Sequence, residues 1–195
     1  MPRSRILLAL PLLAAALLTP APAIFAQAGR TDWNAVGQRL LSDMQRAGEG
    51  AASEALAQWI WASRKDAMTA GVSPMPQAVR ARLKGHFPEA LLGKVRYRVG
   101  TGRDFSLQAQ AFKGNAVAIT LGDVILFRPD ANLSGDARLW AHELTHVQQY
   151  DRWGVRGFAQ RYTRDYQGVE REAESGATRF AAAAKAGPAK GRSGG

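Results

Sequence analysis

Apolar residues recur along this chain with a period that changes, and each change predicts an element. Residues 6–18 form an apolar run broken only by Pro11. Trp33, Val36, Leu40 and Met44 then fall at helical spacing, with Thr31 or Asp32 placed to cap the start and Gly48 and Gly50 to end the helix. Ala52, Leu56, Trp59 and Ile60 make a second helical stripe that stops near Gly71. A third helix is predicted over 76–86, with Val79 and Leu83 on one face and Pro76 in its first turn. The period then drops to two. Val95, Tyr97 and Val99 alternate with Arg96 and Arg98, which reads as a half-buried strand. Residues 105–112 read as a strand or an irregular segment. Residues 117–120 and 123–127, joined through Leu121 and Gly122, predict a hairpin, and 128–132 a loop. Helical spacing returns over 135–150, with Ser134 as N-cap and Trp153-Gly154 as the stop. A short helix over 155–166 and a last one over 168–185 follow. The expected class is α+β: mainly helical, with a small antiparallel sheet.

Composition narrows this to one domain. The chain has 195 residues, 46% of them apolar, and five tryptophans to fill a core. It has no cysteine, which excludes disulfides, lipoprotein anchoring and thiolate metal ligation. Arg3 and Arg5 ahead of the 6–18 run, followed by small residues and Ala26-Gln27-Ala28, read as a cleavable signal peptide over 1–28. The run is too short for a permanent membrane span. A secreted or periplasmic protein is expected, its single domain covering 29–185. Residues 186–195, only Gly, Lys, Arg, Ser, Pro and Ala, are expected to be a disordered tail.

The net charge of +10 is diffuse, with Lys and Arg scattered among Asp and Glu. No basic run carries interleaved aromatics, so no nucleic-acid partner is expected. Weak electrostatic association with an anionic cell surface is the most that this charge suggests. A monomer is expected.

The chemistry concentrates at His142-Glu143-Leu144-Thr145-His146. Residues four apart on a helix lie one above the other, so His142 and His146 can share one zinc ion per chain. Glu143, on the rim of that face, is placed to act on water as a general base rather than to ligate. Trp140, Leu144 and Val147 make the opposite face apolar. A catalytic zinc needs a third protein ligand, and no third histidine lies downstream. Glu170 and Glu174 share a helical face flanked by Val169, Ala173, Ala177 and Phe180, with Glu172 pointing away. Glu170 is the expected third ligand. Glu174 is expected in the outer shell, accepting the second N–H of a histidine; the reverse assignment is the main variant.

At these residues the sequence resembles the gluzincins, zinc metallopeptidases in which a downstream Glu supplies the third ligand and an acidic residue four later, commonly Asp, supports it. Glu174 departs from that preference. A closer resemblance, over residues 74–150 and less distinctly to 177, is to the core domain of bacterial extracellular contractile injection system toxins, the eCIS core domain. It rests on Pro76, Val79, Arg80 and Leu83, on a strand such as 95–99, on Ala111-Phe112 through Gly122 to Phe127, and on Leu139, Ala141 through Val147, and Gln149. It leaves out the two N-terminal helices, 29–72. The resemblance implies a zincin-like fold with an active-site helix and does not imply a proven activity.

The expected function is hydrolysis of peptide bonds in a peptide or protein substrate, with Glu143 as general base. Tyr150, Tyr162, Tyr166 and His86 are candidate oxyanion donors among which the sequence does not choose. The competing reading is a zinc-binding but catalytically silent effector-associated or interaction module. A cationic wall-binding hydrolase is weaker, because no wall-binding repeat is present. Residues 117–120 could bind an extended peptide by edge pairing.

Overall fold

The computed structural model describes residues 49–100 and 117–186. The signal peptide, the helix expected over 33–44, the segment 105–112 and the tail beyond 186 lie outside the described residues.

The first described element is α1, Glu49–Ala70. It ends where predicted, at Gly71, whose φ of 97° reverses the chain at a value an L side chain rarely adopts. Strand β1, Ser73–Pro74, leads to α2, Gln77–Leu83, with Pro76 just before its first turn and Val79 and Leu83 buried. Next comes α3, Glu89–Lys94, a six-residue helix that buries Leu91 and Leu92. The strands β2, Arg96–Val99, β3, Ala118–Leu121, and β4, Val124–Phe127, complete the sheet.

The fold is α+β, but the sheet is mixed rather than antiparallel. Its order is β1-β2-β4-β3; β1 with β2 and β3 with β4 are antiparallel, whereas β2 and β4 run parallel. The chain leaves β2, returns as β3, and hairpins through Gly122 (φ 69°) so that β4 inserts between the two. Residue alternation reports which side chains share a face and carries no information on strand direction, which is why the expectation failed there.

Register sets the two faces of β3 and β4. Ile119 opposes Leu126 and Leu121 opposes Val124, and these four pack in one core cluster with Leu56, Trp59 and Ile60 of α1. Ala118 opposes Phe127 and Thr120 opposes Ile125. That second face meets Trp140, Leu144 and Val147 together with α2 and α3. Trp140, fully buried, meets Phe127 in a tilted contact at 4.6 Å and Tyr97 edge-to-face at 5.4 Å between ring centroids, and donates its indole N–H to Leu133 O at 2.9 Å.

The C-terminal half is one long helical stretch, Ala137–Ala186, broken at two non-helical residues into 137–153 (α4), 155–164 (α5) and 166–186 (α6). Gly154 (φ 66°, ψ 172°) makes the first break, at the predicted stop. Asp165 makes the second, and its Oδ1 accepts the Gly168 N–H at 2.8 Å. The start of α4 differs from expectation by two residues. Asp136 rather than Ser134 caps it, its Oδ1 accepting the Leu139 N–H at 2.9 Å; a carboxylate is the better acceptor at a positive helix end. No described helix is long and apolar enough to cross a membrane.

Candidate metal centre

Helical spacing brings His142 and His146 together on α4, and their Nε2 atoms lie 3.2 Å apart. Glu170 comes from α6. Its Oε2 is 3.5 Å from His142 Nε2 and its Oε1 is 3.6 Å from His146 Nε2. Ligands about 2.0–2.1 Å from a tetrahedral zinc are about 3.3–3.4 Å from one another. The separations are close to those of ligands around a common ion, although the two carboxylate distances belong to different oxygens of Glu170, and both are long for hydrogen bonds. His142, His146 and Glu170 could hold a metal ion. The donor set, two imidazoles and a carboxylate, suits a catalytic zinc. A second sign of fit is that Glu170 Oε1 is buried with no hydrogen-bond partner.

The side chains around this triad divide into anchored and unanchored atoms. Thr120, aimed at α4 by the register of β3, donates to Glu143 Oε2 at 2.7 Å. Glu143 is fully buried, and its other oxygen, Oε1, is unpaired. His146 Nδ1 meets Gln149 Oε1 at 2.8 Å. The Gln149 amide nitrogen donates to Val169 O and to Glu172 Oε2, both at 3.0 Å. Glu172 is in turn paired with Arg152.

Electrostatics follow from that burial. Burial alone would lower the His146 pKa, but the Glu170 carboxylate, helped by the charge of Glu143 and by Gln149, outweighs it and lifts the ring from 6.5 to about 9. Burial alone would raise Glu170; the two histidines reverse this and hold it at about 2. Burial and the Glu170 charge push the Tyr162 hydroxyl well above its ordinary value, so it remains a proton donor.

The predicted site residues separate accordingly. Glu174 lies near His142 rather than His146, with Oε2 3.7 Å from Nδ1, and its other oxygen pairs with Arg138. It makes no hydrogen bond to a histidine, and His142 Nδ1 is without a hydrogen-bond partner. Tyr150 donates to Thr120 O at 3.1 Å. Tyr166 is 39% exposed. His86 is exposed, packed edge-on against Phe180, and is not brought to the triad. Tyr162 alone of the four has a buried hydroxyl without a partner. It lines a cavity of about 20 Å³ with Thr120, His146, Tyr150, Phe158 and Glu170, room for a single water. The remaining wall is Leu56, Trp59 and Ile60 of α1.

Sequence reasoning missed Gln149 as a partner of His146. A signal was present: 142, 146 and 149 share one helical face, and a glutamine on the same face as two candidate ligands is placed to hydrogen-bond one of them.

Residues 74–154 match the family described as the eCIS core domain. The matched segment runs from β1 to the end of α4, so it contains His142, Glu143, His146, Thr120 and Gln149 but neither α1 nor Glu170. The match covers less than half of the chain and carries no statement about peptide hydrolysis. No curated protein matches the chain, and no solved structure does.

Proposed function

We propose that this protein is a zinc metallopeptidase-like component of an extracellular contractile injection system, exported from the cytoplasm and acting on peptide or protein substrates. The observation that carries this reading is the triad of His142, His146 and Glu170 at metal-ligand separations, with the unpaired Glu143 Oε1 beside it. A zinc ion there would supply Lewis-acid polarisation of a carbonyl and of a water molecule. Thr120 fixes one oxygen of Glu143 and leaves the other to take a proton from water and pass it to the leaving amine. Tyr162 keeps its proton and has no competing partner, which suits it to donate to a developing oxyanion. Strand β3, which carries Thr120, is the outermost strand of the described sheet and offers an edge to an extended peptide.

A second reading has its own observation. His142, Glu143 and His146 are 0–3% exposed, and α1 walls the adjoining cavity. A closed centre of this kind suits a latent enzyme or a silent zinc module.

The test expresses residues 29–195 with zinc and incubates them with a diverse peptide mixture beside Glu143→Gln. Peptides cut by the wild type and spared by a metal-loaded Glu143→Gln support the peptidase. Zinc bound at one per chain with no cutting by either supports the closed reading. Equal cutting by both removes Glu143 from the chemistry.

A further inference from the structure

Gln149 is a fully buried amide in α4, which also buries His142, Glu143, Thr145 and His146 among its apolar positions. An amide in such a place is costly unless its donors and acceptor are all used. Here they are used, and the pattern fixes which end is which. The nitrogen faces two oxygens, Val169 O and Glu172 Oε2, both of which only accept, so the NH₂ must point there. The oxygen is left facing His146 Nδ1 at 2.8 Å, so that ring nitrogen must be the N–H. The lone pair of the neutral ring then lies on Nε2, the atom that faces His142 and Glu170. The same amide bonds α4, which carries both histidines, to the first turns of α6, which carries Glu170.

We propose that Gln149 is the positioning residue of the metal centre, setting the His146 tautomer and latching the Glu170 helix to the histidine helix. Arg152, paired with Glu172, extends this latch to the surface. The inference rests on the metal-binding part of the proposed function and is independent of whether peptides are cut.

The two roles separate by substitution. Gln149→Met keeps length and loses both. Gln149→Glu keeps an acceptor for Nδ1–H but replaces the donors with a charge facing Glu172. Glu172→Gln, added to Gln149→Glu, removes that repulsion. The chain has only three histidines, at 86, 142 and 146, so ¹⁵N-histidine labelling of the full chain reads each ring. Zinc affinity is read by chelator competition, and centre geometry by the visible spectrum of the cobalt-substituted protein. In Gln149→Met, affinity is expected to fall about 10- to 100-fold, the loss typical of an outer-shell partner of a metal-bound histidine. In the metal-free protein, at a pH where the ring is neutral, the His146 signals should lose their Nδ1–H pattern or broaden, and the spectrum of the cobalt-substituted protein should shift. Gln149→Glu should keep the ring pattern and lose affinity, with partial recovery on adding Glu172→Gln. A purely structural role would lower the melting temperature and leave tautomer and cobalt spectrum alone. If Gln149→Met does not fold, the Gln149→Glu pair carries the test. Folded variants with wild-type affinity and wild-type ring signals overturn the proposal. A wild-type chain that binds no zinc overturns the metal reading beneath it.

Discussion

Replacing Gly176 with alanine should destabilise this protein and weaken its metal site, although a helical glycine replaced by alanine ordinarily stabilises. Gly176 lies in α6, where alanine is favoured by about 0.8–1 kcal/mol on helix propensity alone. Against this, a Cβ at 176 would stand 3.1 Å from Thr145 Cβ, 3.2 Å from Cγ2 and closer still to Oγ1. Turning Thr145 away is not a free escape, because its hydroxyl donates to Ala141 O at 2.8 Å and its Cβ stays 3.1 Å from the new atom in every rotamer. Contacts of this kind prefer about 3.5–4.0 Å, so the helices must part by something on the order of 0.5–1 Å. Overpacking of this size costs about 1–3 kcal/mol, which exceeds the propensity gain. The displacement also reaches the metal site. Thr145 lies beside His146, and Glu170 is six residues before Gly176, about 9 Å along the same helix. Metal sites tolerate about 0.2 Å of error in ligand distance. Urea unfolding of the metal-free chain should therefore show a lower midpoint for Gly176→Ala, and chelator competition a loss in zinc affinity of about tenfold or more. Thr145→Ala in the same chain removes Oγ1 and Cγ2 and should restore part of both. A raised midpoint with unchanged affinity would refute the close-approach argument.

Trp140→Ala should cost about 3–5 kcal/mol in the same unfolding experiment, since it empties the contact with Phe127 and Tyr97 and orphans Leu133 O; a loss under 1 kcal/mol would mean that the second cluster is not a packed core. Zinc affinity should rise with pH until about 9, by up to tenfold per unit, because the ion must displace the His146 proton; isothermal titration at several pH values checks the slope. In the metal-free protein the signs differ for the two groups. The raised His146 pKa contributes stability that is fully present below 6.5 and lost as pH rises through about 9, and the lowered Glu170 pKa contributes stability present above 4.5 and lost as pH falls through about 2. Its melting temperature should therefore fall between pH 6.5 and 9, while that of the zinc-loaded protein should not. If the protein cuts peptides, Tyr162→Phe should lower kcat about 10²- to 10³-fold with zinc affinity unchanged, and Tyr150→Phe, whose hydroxyl is already engaged by Thr120 O, should lower it less.

The parts of this molecule that were legible in the sequence are those fixed by local spacing. His142 and His146 share a face because a helix repeats every 3.6 residues. Glu170 could be matched to them because Val169, Ala173, Ala177 and Phe180 marked the buried stripe beside it, and all four are buried. Gly71, Gly122 and Gly154 announced turns that occur, each with positive φ. The illegible parts depend on partners distant in sequence. Nothing in residues 96–99 or 124–127 tells parallel from antiparallel. The six residues of α3 are too few to establish a period. The choice among Tyr150, Tyr162 and Tyr166 turned on which hydroxyl found an acceptor, and Thr120 O took the one on Tyr150. The position of α1 against the cavity is likewise a product of packing between Trp59 and residues nearly a hundred positions away.

The way the site is divided along the chain has a thermodynamic consequence. Its two histidines and its candidate base sit on α4, within the segment that matches the eCIS core domain, whereas the third candidate ligand sits beyond that segment on α6. A histidine pair on one helix is preorganised by the backbone and needs little from the rest of the fold. Glu170 reaches the pair only if α6 docks, and docking depends on the Gly176–Thr145 approach, the Gln149 amide and the breaks at Gly154 and Asp165 that turn the chain back. If a metal ion binds there, its binding and α6 docking are linked equilibria: whatever free energy the ion gains from Glu170 it returns as stability of the docked helix, and loosening the helix lowers metal affinity in proportion to the docked fraction that is lost. A third ligand on α4 would make the site independent of this packing; a third ligand on α6 ties metal affinity to the fraction of molecules in which that helix is docked.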